Sequence, residues 1–284
     1  MSSFIDLHIH TDASDGTDTP EQVLEKILDQ GIHTFAITDH DTVAGSLAMG
    51  GLVPPEVRFI PGIEFSCRAP LGKCHILGYG FDLTGDVFWE AVNTARRRRM
   101  DKLGLRLAFL ETQFGILLTQ QEMDWLMSRP SPGKPNLAQI LVERGLAKNI
   151  DDAIQRYINP CKGGDDRIPA ELAVRGILGA GGIPIWAHPL GGEGERRISR
   201  EEFGRRLAEL MAYGIRGLEC CYSRYDDDDI EFLLSQSKAH GLLVSGGSDY
   251  HGGNKVGISL GKLNAAGKAV TPERLTVLEA LKCK

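Results

Sequence analysis

Six of the eight histidines in this sequence fall, together with three carboxylates, in short, separated motifs that could together hold metal ions. Asp6-Leu7-His8-Ile9-His10 sets two imidazoles at a period of two, so on an extended segment both point to one face and can share an ion. Ser14-Asp15-Gly16-Thr17 brings a carboxylate on a tight turn, and Thr38-Asp39-His40-Asp41 brings another imidazole. Pro61-Gly62-Ile63-Glu64 adds a carboxylate whose two oxygens can bridge two cations. His75, Ala187-His188-Pro189 and Gly246-Gly247-Ser248-Asp249-Tyr250-His251 complete the set. His8, His10, Asp15, His40, Glu64, His75, His188, Asp249 and His251 are too many ligands for one ion and enough for two or three. Their mix of imidazole and carboxylate suits Mn²⁺, Fe²⁺ or Zn²⁺ better than Ca²⁺ or Cu⁺. The two remaining histidines, His33 and His240, fall near expected helix termini, where capping or solvated roles suffice.

Positioning such a set requires a scaffold that ends many strands at one place. Short β-rich apolar runs recur at 4–7, 34–38, 58–60, 75–79, 183–187, 215–221 and 242–245, which predicts seven strands. Between them, Thr19-Pro20-Glu21-Gln22 carries the cap, first-turn proline and reciprocal Gln of a helix start, with a stop near Gln30-Gly31. Further helices are expected at 201–213, before Gly214, and at 227–240, before Gly241. Strands alternating with helices favour an α/β fold with a parallel sheet, open or closed, with chemistry at the strand ends. The alternation breaks at 87–158, where only helical segments are expected, at 87–114, 120–127, 136–144 and 151–158. The chain therefore divides into a metal-binding body, 1–85 and 160–284, and a helical insertion, 86–159. That insertion either covers the site or packs on the side of the body.

The 284 residues, 42% hydrophobic and 25% charged, are enough to bury a full core. A net charge of −6 removes the broad basic field expected of a protein that grips long duplex nucleic acid. A small anionic substrate stays compatible, because bound metal ions dominate the local potential. Six cysteines without a C-x-x-C spacing read as reduced thiols, and neither a signal-like start nor an ~18-residue apolar span is present. A cytoplasmic protein with no membrane partner is expected.

The ordered motifs D-x-H-x-H, S-D-G, T-D-H-D, G-I-E, H-I-L-G, A-H-P and G-S-D-x-H, running from Asp6 to His251, resemble the polymerase and histidinol phosphatase (PHP) family. The resemblance implies a distorted (β/α)₇ barrel. It also implies one metal on His8, His10, Glu64 and Asp249, a second on Glu64, His75 and His188, and a third on Asp15, His40 and His251. With its helical insertion, the chain is more similar to stand-alone members that act on nucleotides or small phosphate esters than to histidinol phosphatases. Two cations roughly 3.5–4 Å apart can hold a bridging hydroxide as nucleophile and neutralise charge growing on phosphoryl oxygens. The expected activity is hydrolysis of phosphate monoesters, of a nucleoside monophosphate or a 3′,5′-bisphosphate. A phosphodiesterase or 5′→3′ exonuclease on short oligonucleotides is the nearest alternative. An amidohydrolase and a binding-only module are alternatives of another class.

His40, His188 and Asp249 are the candidate catalytic groups, the imidazoles for leaving-group assistance. Asp39 and Asp41, and similarly Asp6, could orient imidazoles or cap turns. Substrate contacts are expected from Arg99, within Arg96-Arg97-Arg98-Arg99, from Lys134 and Asn136 at a helix start, and from Arg224. Asp226-Asp227-Asp228-Asp229 reads as the acidic first turn of a helix.

Overall fold

The computed structural model describes residues 4–192 and 195–282. Its sheet consists of β1 (Phe4–Ile9), β2 (Ile32–Ile37), β3 (Arg58–Ala69), β4 (Gly72–Tyr79), β5 (Ile168–Pro169), β6 (Ile183–Trp186), β7 (Gly217–Tyr222) and β8 (Leu243–Gly247). The hydrogen-bonded order is β1-β2-β3-β4-β6-β7-β8, with the two-residue β5 beside β3. Pairing is parallel throughout except at β4, which runs antiparallel to both β3 and β6. The helices are α1 (Pro20–Asp29), α2 (Ala44–Gly50), α3 (Asp86–Phe114), α4 (Gln120–Met127), α5 (Lys134–Glu143), α6 (Ile150–Ala153), α7 (Ala170–Gly179), α8 (Arg200–Tyr213), α9 (Asp227–His240) and α10 (Val277–Ala280). The fold is thus mixed α/β around one sheet.

Local chemistry explains most boundaries. Thr19 accepts from the Gln22 N–H and Gln22 returns the bond, so α1 starts as expected. Gly241 and Gly214 end α9 and α8 in the left-handed conformation, at φ 63° and 102°. Asp226 caps α9, which makes the aspartate run a helix start. Residues 134 and 135, expected to lead into α5, are its first turn, because proline is favoured there.

Three expectations need correction. Glu64 does not end β3, and His75 does not open β4. The Pro61-Gly62 pair looks like a strand terminus, yet β3 continues to Ala69 and pairs residue by residue with β4, from Gly62↔Tyr79 to Ala69↔Gly72. Both residues are therefore in mid-strand. This β3–β4 hairpin has no helix between its strands, so strict strand–helix alternation fails here. Helices α2 and α7 were not anticipated. Each is a short segment, AGSLAMG and AELAVRGILG, whose glycines weaken the helical signal.

The two edges of the sheet meet beyond β8. The Asp249 N–H donates to the His8 carbonyl (2.8 Å) and the His10 N–H to the Tyr250 carbonyl (2.9 Å). Asp6 accepts from the Ser248 N–H (2.8 Å) and the Gly261 N–H (2.8 Å), pinning both segments to β1. The main core lies between the sheet and α3, α7, α8 and α9. A separate apolar cluster, with Leu103, Leu110, Leu126, Leu137 and Leu141 in it, is confined to the helices from α3 through the π-helical turn Ile154–Ile158.

Among the described residues no helix is long and apolar enough to cross a membrane. Cys67, Cys74, Cys161, Cys220 and Cys221 are buried and unbridged, and Cys283 lies outside the described residues.

Gly247 of β8 lies against β1, and a methyl group there would overlap His8, its backbone included. Gly247→Ala is expected to destabilise the protein by roughly 1–3 kcal/mol, the usual cost of overpacking. A urea unfolding curve with an unchanged midpoint would show that the two strands are not in rigid contact.

Candidate metal centre

The nine candidate residues come together. β1 places His8 and His10 side by side and fully buried. The backbone bridge beyond β8 sets Asp249 and His251 next to them, and an isolated bridge between His40 and Glu64 ties the end of β2 to mid-β3. Glu64 is the hub. Its Oε2 lies 3.2 Å from His8 Nε2, 3.2 Å from His10 Nε2 and 3.1 Å from His40 Nδ1. Its Oε1 lies 3.2 Å from His75 Nδ1 and 3.1 Å from His188 Nε2. Asp249 Oδ1 is 3.5 Å from both β1 imidazoles. Asp15 Oδ1 is 3.3 Å from His251 Nε2, and Asp15 Oδ2 is 4.0 Å from His40 Nε2.

Donor atoms converge in groups that could each hold an ion: His8, His10, Glu64 and Asp249; His10, Asp15, His40 and His251; and His40, Glu64 and His75. A further group joins His75 and His188 to Glu195. Hydrogen bonding alone does not account for these contacts. His10 Nδ1, His40 Nδ1, Asp15 Oδ1 and Glu64 Oε2 are buried without a partner, an arrangement that costs free energy unless something else satisfies them. Oxygen and imidazole nitrogen donors left bare at one buried point fit divalent cations of the borderline kind.

The protonation balance carries the same tension. Burial disfavours charge on His8, but Glu219, Glu64 and Asp249 together outweigh it and hold the imidazole well above its ordinary range. Burial, then His251, hold His10 well below it, and burial pushes His40 down to about 3. Burial would raise Glu64, but the surrounding imidazoles hold it well below the usual carboxylate range.

Backbone strain is concentrated at the same place. Asp41 (φ 57°), His188 (φ 27°) and Asp249 (φ 60°) are the non-glycine residues with positive φ among those described.

An outer ring of acids holds the inner one, and of the two roles open to Asp6, Asp39 and Asp41 the structure shows bonds to turns and backbone, not to imidazoles. None of the three touches an imidazole. Asp39 accepts from the Thr11 N–H and hydroxyl (both 2.8 Å) and from the Ser14 hydroxyl (2.6 Å), shaping the turn that carries Asp15. Asp41 accepts from the Ser66 N–H (2.8 Å) and pairs with Arg99. The carboxylate that does orient an imidazole is Glu219, which sequence reasoning missed. It lies 2.9 Å from His8 Nδ1 and accepts from the His188 N–H (2.8 Å). A lone acid inside the apolar run of β7 was the available signal. Two further residues were missed: Glu195, 3.2 Å from His188 Nδ1, and Lys255, which with Tyr222 occupies Asp249 Oδ2.

A cavity of about 540 Å³ opens over the cluster, walled on one side by Lys134, Ile150, Ile154 and Asn159 from the helical segment. Of the expected substrate contacts, Lys134 and Arg99 reach this wall and two do not. Lys134 donates to Asn159 (2.8 Å), and burial, then Arg106, push its ammonium down to about 8. Arg99 spends two bonds on Asp41, at 3.0 and 2.5 Å, because a buried guanidinium needs a counter-charge. Asn136 is buried and accepts from the Gly133 N–H (2.6 Å) as the cap of α5. Arg224 is not among the residues lining the cavity and donates to the Val256 carbonyl (3.4 Å).

Comparison with known proteins follows the same lines. Residues 6–103 match the PHP domain. The chain is 29% identical over 261 residues to a 3′,5′-nucleoside bisphosphate phosphatase of Chromobacterium violaceum, covering 89% of this chain and 90% of that protein. It is also 29% identical over 259 residues to a 5′-3′ exoribonuclease of Escherichia coli strain K12, covering 87% and 84%. Among solved structures, a protein of Bifidobacterium adolescentis described as a metal-dependent phosphoesterase superposes with a TM-score of 0.82 at 25% identity, covering 100% of this chain and 96% of that one.

Two outcomes are expected. Glu219→Gln should weaken divalent-metal affinity by about 10–100-fold, as losing a hydrogen-bonded partner of a ligating imidazole does. Calorimetric titration with Mn²⁺ checks this, and unaltered affinity removes Glu219 from that role. Arg99→Met should cost roughly 3–5 kcal/mol by stranding Asp41, with much of it recovered in Arg99→Met/Asp41→Asn. Equal melting of single and double variants would mean the pair is not coupled.

Proposed function

We propose, from the premise that this chain is a PHP-domain, metal-dependent phosphoesterase, that it hydrolyses phosphate monoesters of small nucleotides, a nucleoside monophosphate or 3′,5′-bisphosphate. The observation that carries the reading is Glu64, whose two oxygens face two separate sets of imidazoles at 3.1–3.2 Å. His8, His10, Asp15, His40, Glu64, His75, His188, Asp249 and His251 would hold two or three divalent ions, Mn, Fe or Zn. The chemistry supplied there is Lewis-acid activation of water and neutralisation of phosphoryl charge.

The protein's own groups do the rest. Glu64 fixes the spacing of the two imidazole sets. Where it does not ligate, His188, which Glu195 and Glu64 hold above its ordinary range against burial, would give a proton to the leaving oxygen, whereas His40, pushed down by burial, would serve as a ligand. Asp249, with Oδ2 held by Lys255 (2.5 Å) and Tyr222 (3.0 Å), presents only Oδ1 to the cluster. Residues 86–159 act as a cap whose Lys134 meets the ester and whose Ile150 and Ile154 exclude water from one side of the cavity. The distorted (β/α)₇ barrel is supported by the parallel runs β1–β3 and β6–β8 and by the bridge that joins β8 to β1.

The exoribonuclease likeness favours a second reading, removal of nucleotides from the 5′ end of short RNA. Phosphate and nucleotide release from 5′-mononucleotides, 3′,5′-bisphosphates and short 5′-phosphorylated RNA separates the two. The expected result is release of inorganic phosphate from one small-nucleotide class, falling by about 10³-fold in Glu64→Gln, equivalent to roughly 4 kcal/mol of barrier. Turnover of RNA alone would establish the nuclease reading instead.

A further inference from the structure

The helical segment is rooted in the main core and touches the sheet side again further along. The first half of α3 packs Phe88, Ala91, Val92 and Ala95 into the main core, and its second half gives Leu103 and Leu110 to the helices' own cluster. The return contact is the stretch between α4 and α5. Ser131 is fully buried there, and its N–H donates to the Ala13 carbonyl (3.0 Å). Two residues earlier, Arg129 donates through Nη1 to the Asp12 carbonyl (2.6 Å). Its guanidinium also lies over the Trp125 ring of α4, 4.5 Å from the centroid, so the bridge is anchored in the segment it comes from. The Asp12 carboxylate is 3.5 Å from Arg129 and 33% exposed, so the carbonyl bond, not this ion pair, is the tie.

The turn gripped in this way carries Asp15, which joins His10, His40 and His251 in one ligand group. From the sheet side, Asp39 holds Thr11 and Ser14, and Asn254 donates to the Asp15 carbonyl (2.7 Å). Inside the turn, the Ser14 and Gly16 N–H groups donate to the Thr11 carbonyl (3.2 and 3.0 Å). The Asp12 and Ala13 carbonyls take their bonds from the helical segment, so the turn is held between two supports. Asp15 Oδ1 has no hydrogen-bond partner, and Oδ2 is 4.0 Å from His40 Nε2. A ligand group closes on an ion only when its members are held to within roughly 0.5 Å of the productive geometry. Small displacements of this turn therefore decide whether the Asp15 group binds.

We infer that Arg129 is a positioning residue: through the Asp12 and Ala13 backbone it holds Asp15 against His10, His40 and His251, so that docking of the helical segment and filling of that ligand group are one coupled event. This role rests on the metal-dependent phosphoesterase reading above and gives the segment a task beyond covering the cavity. Coupling of this kind is reciprocal: whatever docking contributes to metal affinity, metal contributes to docking. It also has a sign that charge alone would reverse. Deleting a cation near a metal site tightens cation binding by Coulomb's law, whereas loosening the turn weakens it.

Calorimetric titration of the full-length protein with Mn²⁺, for the native chain, Arg129→Met and Arg129→Lys, reads affinity without turnover. Arg129→Met is expected to bind at one class of sites about tenfold less tightly, the lower end of what losing an outer support of a ligand costs, while the remaining sites keep their affinity. Arg129→Lys, which retains a donor and the charge, should regain most of the loss. With an ester that the native enzyme turns over, kcat of Arg129→Met should fall at limiting Mn²⁺ and recover in excess, with KM little changed. Unchanged or tighter Mn²⁺ binding in Arg129→Met would overturn the role while leaving the phosphatase reading in place. Absence of turnover of every phosphate ester would count against that reading, and the titration would then decide Arg129 alone. Hydrogen exchange on the native chain needs no variant and follows the Ser131 amide, which stands between two prolines. Mn²⁺ added to the EDTA-treated protein should slow exchange across 128–134 about tenfold more than across α9, which contributes no candidate ligand. Equal slowing in both segments would mean that metal stabilises the whole fold and not this contact, and would overturn the coupling.

Discussion

Glu64 and the imidazoles around it impose the constraint on which the remainder of the structure depends. A fully buried carboxylate would ordinarily lose its charge, and buried imidazoles would ordinarily lose their protons. Here Glu64 stays charged among the imidazoles and, with Glu219 and Asp249, holds His8 protonated, whereas burial strips the protons from His10 and His40. The balance is incomplete, since four donor atoms at the same point remain without partners. A chain that folds around such a point must supply rigid elements from several directions, because none of these side chains can relax toward water. The sheet does this by converging: β1, the end of β2, the middle of β3 and β4, and the segments after β6 and β8 each contribute one or two groups.

That convergence explains features that look incidental one at a time. Gly247 allows β8 to lie against β1, and the backbone bonds beyond it carry Asp249 and His251 to within reach of His8 and His10. Positive φ at Asp41, His188 and Asp249 lets the chain turn sharply immediately at the cluster. Strain of this kind persists only where surrounding structure over-determines it. Asp6, Asp39 and Glu219 provide that over-determination, Asp6 and Asp39 through backbone and hydroxyl donors and Glu219 through His8 and the His188 N–H. Burial pushes Asp6 and Asp39 up to about 6 despite the bonds they accept.

How much of this was legible in the amino-acid order depended on whether the governing interaction was local. The histidine and carboxylate motifs declare themselves because two-residue spacing on a strand has one geometric meaning, and the caps at Thr19 and Asp226 because they involve three neighbouring residues. Glu64 and His75 were misplaced along their strands because Pro61-Gly62 mimics an ending that only the long pairing with β4 overrides. Asn136 looked available for a ligand, but its side chain is consumed three residues away by Gly133. Arg99 looked like a phosphate contact, but its partner Asp41 is 58 residues distant. Glu219 was missed for the converse reason: its place inside the apolar run of β7 marks it as unusual, but nothing near it in sequence hints that His8 will lie against it.

The same distinction separates the cluster cavity from a second of about 380 Å³ beside it, which shares His75, His188, Lys134 and Arg167 with it. The cluster cavity was foreseeable from motifs. The second, lined by the cationic Lys73, Lys134, Arg167, Arg196 and Arg206, is assembled from β4, the approach to β5, α5, α8 and the segment before α8, whose residues share no motif. Its character arises from stoichiometry in space, two carboxylates each divided between two arginines. Ion pairs are weak evidence for stability whether exposed, as at Arg196, or buried, as at Arg106, so stability is a weak reason to gather them beside a cluster that itself favours anions. Placing surplus positive charge one strand residue-pair away from His75 instead raises the local potential where an anionic ester enters, against a chain whose net charge is −6.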